Sequence, residues 1–379
     1  MQGNQRLNLS GERFSVEYSL FGSRADVDQL AAAIIVEDTV EFPYELLPDG
    51  EIKDQVVGKI EEITPVGQDH YHVIISYAIE ITAFTIAQFL NVVMGNISLM
   101  PGIRVERIHL FPTLATRFSG PRFGRAGVRE LLGVPTRPLF CTALKPMGLS
   151  YKELADMGYQ VARGGIDLIK DDHGISNQAF SQFKERISRN QEAVERANHE
   201  TGRKSIFLPN ITGRADELLE NAHYARQIGC RGLMVLPAHT GWDAVRMLAE
   251  DDSLDLPIMI HPSFSGCYVV SPTAGFSTYA WFGQIARLAG ADMSIFINFG
   301  SRFANTREDC LAVVAGTSVS MGKIKPAFPV AGGGITMQTI PEMKKVYDND
   351  MIYLMGGGLH KAGPDLVENC QRLLSSFEA

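Results

Sequence analysis

Residues 164–176 read GGIDLIKDDHGIS. The front half, residues 166–170, is a short apolar run of the kind that forms a buried parallel strand. The back half sets Lys170, Asp171, Asp172 and His173 in four consecutive positions. Such a cluster does not suit a hydrophobic layer. It suits the place where a buried strand opens onto a functional loop, and it invites a search for further strands that end in the same way.

Seven more runs do so. PLFCTAL (138–144) precedes IDLIK (166–170). SIFLPNI (205–211), GLMVLP (232–237), PIMIH (257–261), DMSIFIN (292–298), AFPVAG (327–332) and MIYLMG (351–356) follow. Amphipathic stretches such as ADELLENAHYARQIG (215–229) lie between them. Eight alternating βα units over roughly 250 residues are the size of a closed TIM barrel, whose chemistry lies at the C-terminal ends of the strands. A doubly wound open sheet is the alternative.

The first hundred residues have a different rhythm. RFSVEYSLF (13–21) predicts a strand and VDQLAAAIIVE (27–37) a helix. VGKIEEITPV (57–66) and YHVIISYAIE (71–80) predict paired strands. FTIAQFLNVVM (84–94) predicts a helix and IRVERIHLF (103–111) a last strand. The order βαββαβ is that of a ferredoxin-like α+β unit. FPTLATRFSGPRFGR (111–125) reads as the connection. The fold expected is therefore α/β: an α+β domain over 1–122 followed by a (β/α)8 barrel over 123–379.

The 379 residues are 45% apolar and 21% charged, enough for a large core and unlike a disordered chain. A net charge of -8 gives no reason to expect nucleic acid. The five cysteines form no CxxC pair, which fits reduced thiols in the cytoplasm. The first residues have no apolar signal core, and no run reaches the ~20 residues of a membrane helix. A soluble cytoplasmic enzyme without membrane contact is expected.

The strand ends supply the candidate site. Lys145 follows the first run. Lys170, Asp172 and His173 follow the second, Asn210 ends the third and His239 follows the fourth. His261 and Asn298 end the fifth and sixth. Asp172 and His173 offer one oxygen and one nitrogen ligand. Lys170 could add carbon dioxide to its neutral amine, and the carbamate would supply a further oxygen. Oxygen ligands suit Mg2+, and the imidazole moves the preference toward Mn2+ or another divalent ion. A solvated loop with ordinary ion pairs is the competing reading. The triplets Gly332–Gly334 and Gly356–Gly358, after the last two strands, would let backbone N–H groups approach a phosphate. Ordinary turn chemistry is the competing reading there. His239 and His261 suit proton transfer or a structural hydrogen bond equally.

Taken together, these residues resemble the large subunit of ribulose bisphosphate carboxylase, and more closely the non-carboxylating RuBisCO-like proteins. The resemblance runs through GPRFGRAGVRELLGVPTRPLFCTALKP (120–146), GGIDLIKDDHG (164–174), FPVAGGGI (328–335) and MGGGLHKAG (355–363). It implies that Lys170 is the carbamylated lysine, that Asp172 is a metal ligand, and that Lys145 serves enolisation. His261 matches a histidine at the end of the fifth strand. Gly333, Gly334, Gly356 and Gly357 match the glycines that hold one substrate phosphate. Asn96 in MGNISLM (94–100) and Glu37 match residues of the N-terminal domain that reach a partner's barrel, so the resemblance implies a head-to-tail homodimer or an oligomer of dimers.

The departures bear on the reaction. His173 stands where carboxylases have a glutamate ligand. KPMGL (145–149) lacks a second lysine, and Ser263 and Phe264 replace a catalytic histidine and a phosphate-binding arginine. The glycine cradle survives while the second phosphate site is largely gone, so a sugar-derived monophosphate is expected. Carboxylation of ribulose bisphosphate is not. The branch resembled handles 3-oxo-isoapionate phosphate, a β-keto acid, and implies decarboxylation, transcarboxylation or hydrolysis. The alternatives are an enolase or isomerase of a methylthio-pentulose phosphate, a Schiff-base decarboxylase using unmodified Lys170, and a catalytically inactive binding scaffold.

Overall fold

The computed structural model describes residues 7–303 and 305–378. β1 (Arg13–Phe21) buries Phe14, Val16, Tyr18 and Leu20, the alternate residues of one face. A helix, Arg24–Glu37, follows, started by a capping box between Ser23 and Asp26. β2 (Lys59–Gly67) and β3 (His70–Ala78) form a hairpin. The helix Ile86–Met94 leads to β4 (Ile103–His109). β1 lies between β3 and β4, antiparallel to both, giving the order β4-β1-β3-β2. This is the split βαβ arrangement expected from the sequence.

The second sheet is wholly parallel. It comprises β5 (Leu139–Leu144), β6 (Leu168–Asp171), β7 (Ile206–Leu208), β8 (Leu233–Val235), β9 (Ile258–Ile260), β11 (Met293–Ile297), β12 (Phe328–Gly332) and β13 (Ile352–Leu354). The order is β7-β6-β5-β13-β12-β11-β9-β8. A bridge between Asn210 and Met234 joins the two ends, with Ile211 N donating to Met234 O at 3.0 Å and Met234 N to Pro209 O at 2.9 Å. The sheet is therefore a closed barrel, and the open-sheet alternative falls.

β10 (Gly275–Phe276) leaves the barrel and pairs in parallel with β4. Further bonds dock the N-terminal unit on the barrel. Asp243 accepts from Ile86 N and Ala87 N at 3.2 and 3.0 Å, capping the helix Ile86–Met94 from outside. The Gln284 amide both accepts from Ile108 N and donates to Ile108 O.

Two of the βα units share a device. Gly165 and Gly290 end helices at φ +100° and +98°, and an aspartate follows two residues later. Asp167 accepts from Phe140 N, and Asp292 accepts from Phe123 N, Gly124 N and Ile258 N at 2.7–2.9 Å. Burial raises the Asp292 carboxyl to about 6 against these three donors. Asp292→Ala orphans three N–H groups, two of them at the lead into the barrel. A loss of about 3–5 kcal/mol is expected, checked by urea unfolding at constant m.

Candidate active site

The barrel interior sets the side-chain phase. Leu139, Cys141, Leu168, Ile206, Leu208, Met259, Phe328, Val330 and Ile352 pack together inside it. Counting on by two from these residues reaches Lys145, Lys170, Asp172, Asn210, His261, Gly332 and Gly356. The polar residues singled out in the sequence thus continue the inward-facing columns beyond the last apolar layer.

Lys170 is 1% exposed, and its ammonium donates to Asp171 O at 2.8 Å. Burial pushes it down to about 8, with Cys141 and Asp172 pulling the other way. Asp172 accepts from Gly174 N at 3.2 Å, lies 2.7 Å from His173 Nδ1 and is ion-paired with Lys145. Burial alone would raise this carboxyl, but His173 and Lys145 hold it well below the usual carboxylate range. The His173 ring stacks on His261 with centroids 4.2 Å apart and planes 8° apart. Burial, with the Lys170 charge second, pushes His261 well below the usual histidine range. Its Nδ1 accepts from Ser263 N at 3.1 Å, so the neutral ring carries its proton on Nε2. His239 lies exposed on the rim, its Nε2 3.4 Å from Ser263 Oγ.

The two glycine turns abut. Gly333 and Gly334 adopt φ +87° and +71°, and a Cβ on Gly334 would lie 3.0 Å from Ser301 Cα. A Cβ on Gly358 would overlap Ile335 O, so the second turn rests on the first. A Cβ on Gly356 would lie 3.9 Å from Lys145 Cε, while Gly357 faces open space. Lys145 therefore spans from the glycine turn to Asp172. The two parts of the expected site share one mouth.

Asn96 and Glu37 stand apart from this mouth. Asn96 opens the 3-10 turn Asn96–Leu99, and Glu37 ends the helix Arg24–Glu37. Among the described residues neither forms a hydrogen bond with a barrel residue. Asp38 joins the two, accepting from Gly95 N at 3.2 Å and Ile97 N at 3.4 Å, and burial raises its carboxyl to about 7.

Asp171 is the residue the sequence reading left without a role. Period 2 turns it away from Lys170 and Asp172, toward the helix Phe183–Thr201. There it accepts from Arg186 Nε at 3.2 Å and from Asn210 N at 3.1 Å. Arg186 also donates to Ser176 O and Ser181 O at 2.6 and 2.8 Å, which holds the loop after Asp172. The signal was the first aspartate of KDD, but its arginine lies fifteen residues on in an ordinary helix face.

At the opposite end of the strands, a cleft of about 460 Å³ is lined by Arg137, Asp167, Arg203 and Lys204. Helices ending at Leu132, Gly164 and Thr201 point their carbonyls there, so these cations complement helix C-termini. Among the described residues, no group of three or more His, Cys, Asp and Glu side chains is arranged to hold a metal ion. Asp172 and His173 provide two such donors, and a modified Lys170 would provide the third.

A closed parallel barrel with polar side chains and glycine turns gathered at the C-terminal mouth, beside a ferredoxin-like unit, is the plan of a barrel enzyme. The family model for the ribulose bisphosphate carboxylase large chain, catalytic domain, matches residues 124–364. The chain is 34% identical over 361 residues to ribulose bisphosphate carboxylase-like protein 1 of Rhodopseudomonas palustris, covering 95% of this chain and 96% of that one. It is 32% identical to 5-methylthioribulose-1-phosphate isomerase of Rhodospirillum rubrum, covering 96% of each. Octameric ribulose-1,5-bisphosphate carboxylase/oxygenase from Pyrococcus horikoshii OT3 superposes with a TM-score of 0.91 at 26% identity, covering 98% and 88% of the two chains. The protein belongs to the ribulose bisphosphate carboxylase large-chain family, among its RuBisCO-like members.

Proposed function

We propose that the protein forms an enediolate from a sugar-derived monophosphate by releasing carbon dioxide from a β-keto acid of the 3-oxo-isoapionate phosphate type. The residues fit a divalent cation such as Mg2+. Lys170 has an amine that burial brings within reach of the neutral form, ready to add carbon dioxide, and Asp172 and His173 lie side by side next to it. When bound, the cation polarises substrate oxygens and stabilises the enediolate. Gly333, Gly334, Gly356 and Gly357 hold the phosphate through backbone N–H groups.

One observation carries the choice of reaction. The groups facing Lys170 are arranged as proton donors: Lys145 is an ammonium paired with Asp172, and the free lone pair of His261 is already occupied by Ser263 N–H. Carbon–carbon cleavage needs no base at carbon. It leaves an enediolate that needs one proton, and Lys145 delivers it.

A second reading, enolase or isomerase chemistry on a methylthio-pentulose phosphate, is favoured by the names of the relatives, the Rhodospirillum rubrum isomerase among them. It requires Lys145 to leave Asp172 and take a proton first. The test is a panel of sugar-acid and pentulose monophosphates with magnesium and bicarbonate in deuterated water. Release of label from a 13C-carboxyl group, with one deuterium gained per product, is expected. Deuterium uptake without carbon loss selects the second reading, and no turnover on any member overturns both.

Assembly follows the same reading. Asn96 and Glu37 serve a partner's barrel in a head-to-tail dimer. Leu99 and Leu46, 87% and 63% exposed on the N-terminal unit, supply apolar surface for that contact. Five unpaired cysteines suit a cytoplasmic setting, and no helix among the described residues is long and apolar enough to cross a membrane.

A further inference from the structure

We infer that Asp38 is a positioning residue: its carboxylate holds the N–H groups on either side of Asn96 and so sets the arm that serves the partner's barrel. The inference rests on the reading of Asn96 and Glu37 as residues offered to that barrel. Asp38 acts through the turn and touches no substrate.

The geometry is specific. Asp38 directly follows the helix Arg24–Glu37 and is 6% exposed. Each carboxylate oxygen takes one amide: Oδ2 accepts from Gly95 N at 3.2 Å and Oδ1 from Ile97 N at 3.4 Å. These amides flank Asn96, so one side chain fixes the peptide planes that aim it. Gly95 lies so close to the preceding helix that a Cβ there would overlap Asn91 O. Tyr18 O–H donates to Val93 O at 2.8 Å, which leaves Tyr77 O–H to donate to Tyr18 at 2.8 Å. The turn that carries Asn96 is thus held from β1 and β3 on one side and from Asp38 on the other.

No cation takes part. The last turn of the helix Arg24–Glu37 has no basic residue, and residues 86–100 contain no ionisable side chain. An acid at a helix C-terminus meets the negative end of the dipole. The titratable groups that face Asp38 are Glu37 from its own helix and Tyr18 and Tyr77 from the sheet, none of them a cation. Burial raises its carboxyl to about 7, against the N–H groups of Ile97, Gly95 and Asn96. Protonation removes one of the two acceptors, so the hold on the turn weakens as pH falls through that value. Stability moves the other way. Between 3.8 and about 7 the folded chain keeps a proton that the unfolded chain has shed, so acid favours folding while it loosens Asn96. A residue present for stability alone would not oppose the two.

The test has two arms. In the first, the protein is labelled with 15N in glycine and isoleucine, and the amide signals of Gly95 and Ile97 are followed from about pH 5 to 9. Both are expected to titrate together with a midpoint near 7 in the unaltered protein, and neither in Asp38→Asn, which keeps the shape without the charge. In the second, kcat is measured with the member of the monophosphate panel that turns over. Asp38→Asn is expected to lower kcat by about 10- to 100-fold. On an Asn96→Ala background the same change is expected to cost less than about twofold, because the group it aims is gone. Parental kcat in Asp38→Asn, an equal loss on both backgrounds, or amide signals that do not titrate overturns the inference. If Asn96→Ala alone turns over like the parent, the reading of Asn96 fails, while the amide titration still judges the hold of Asp38 on the turn. Should Asp38→Asn not fold, or no panel member turn over, the amide signals of the unaltered protein decide.

Discussion

Lys170→Met is expected to lower turnover by at least about 1,000-fold and to abolish its dependence on added bicarbonate, while the folded protein becomes more stable. The activity loss follows from removing the one amine that can become the third donor beside Asp172 and His173. Lewis-acid assistance of several kcal/mol corresponds to a factor of that size. The stability gain follows from burial. Lys170 is 1% exposed, and its pKa is lowered from 10.5 to about 8. Between about pH 8 and 10.5 the unfolded chain binds the proton that the folded chain has shed, so stability rises with pH across that window. Below about 8 both states are charged, and the folded state bears the full cost of the buried ammonium. Methionine fills the space without the charge, so a gain on the order of 2–3 kcal/mol is expected at pH 7. Denaturant melts at pH 7 and pH 10 check this. The gain should shrink at the higher pH, and a variant less stable than the parent at pH 7 would refute the account. In the parent protein, activation by carbon dioxide should strengthen from pH 7 to 9 as the amine loses its proton. Burial sets this range first, and Cys141, Asp172, Lys145 and Asp171 are the charged or titrating groups that modify it.

Lys145→Met is expected to reduce kcat by about 100- to 10,000-fold, the range for a positioned proton donor, with little change in substrate affinity. The methionine stem occupies the same space beside Gly356, so the glycine turns stay in place. Asp172 loses the ion pair that helps hold its carboxyl so low, but keeps His173 and Gly174 N. Substrate binding should survive, and solvent deuterium should no longer reach the product carbon at the parental rate. A loss confined to substrate affinity, with kcat intact, would assign Lys145 to binding alone. Lys145→Arg separates charge from reach: it restores a cation beside Asp172 but not a compact ammonium at the same point.

Much of this architecture was legible in the residues because apolar runs carry their own period. RFSVEYSLF shows alternation that survives any context, and the run 13–21 forms β1 with those bounds. IDLIK and PIMIH announce buried strands, and the polar residues that end them lie at the mouth because period 2 admits nothing else. Lys170 and Asp172 share a face for that reason alone. Asp171 was as visible as its neighbours, yet its role was not. Its partner Arg186 comes from the next helix and is chosen by packing across the layers. Phe264 is legible in the sequence only as a departure, since its left-handed backbone and its contact with His239 arise from two loops that are distant in the chain.

By itself, the sequence determined the alternation of strands and helices, the two-part order of the chain, and which residues stand at strand ends. These are local properties, set by side-chain period and by the turn chemistry of glycine and proline. Only the tertiary structure decided that the sheet closes, because closure depends on one bridge between Asn210 and Met234. It alone joined Lys145 to Asp172 across neighbouring strands, laid Gly358 on Ile335, and packed Phe264 on His239. Those relations depend on the register and ring order of strands far apart in the chain, to which no local pattern is sensitive.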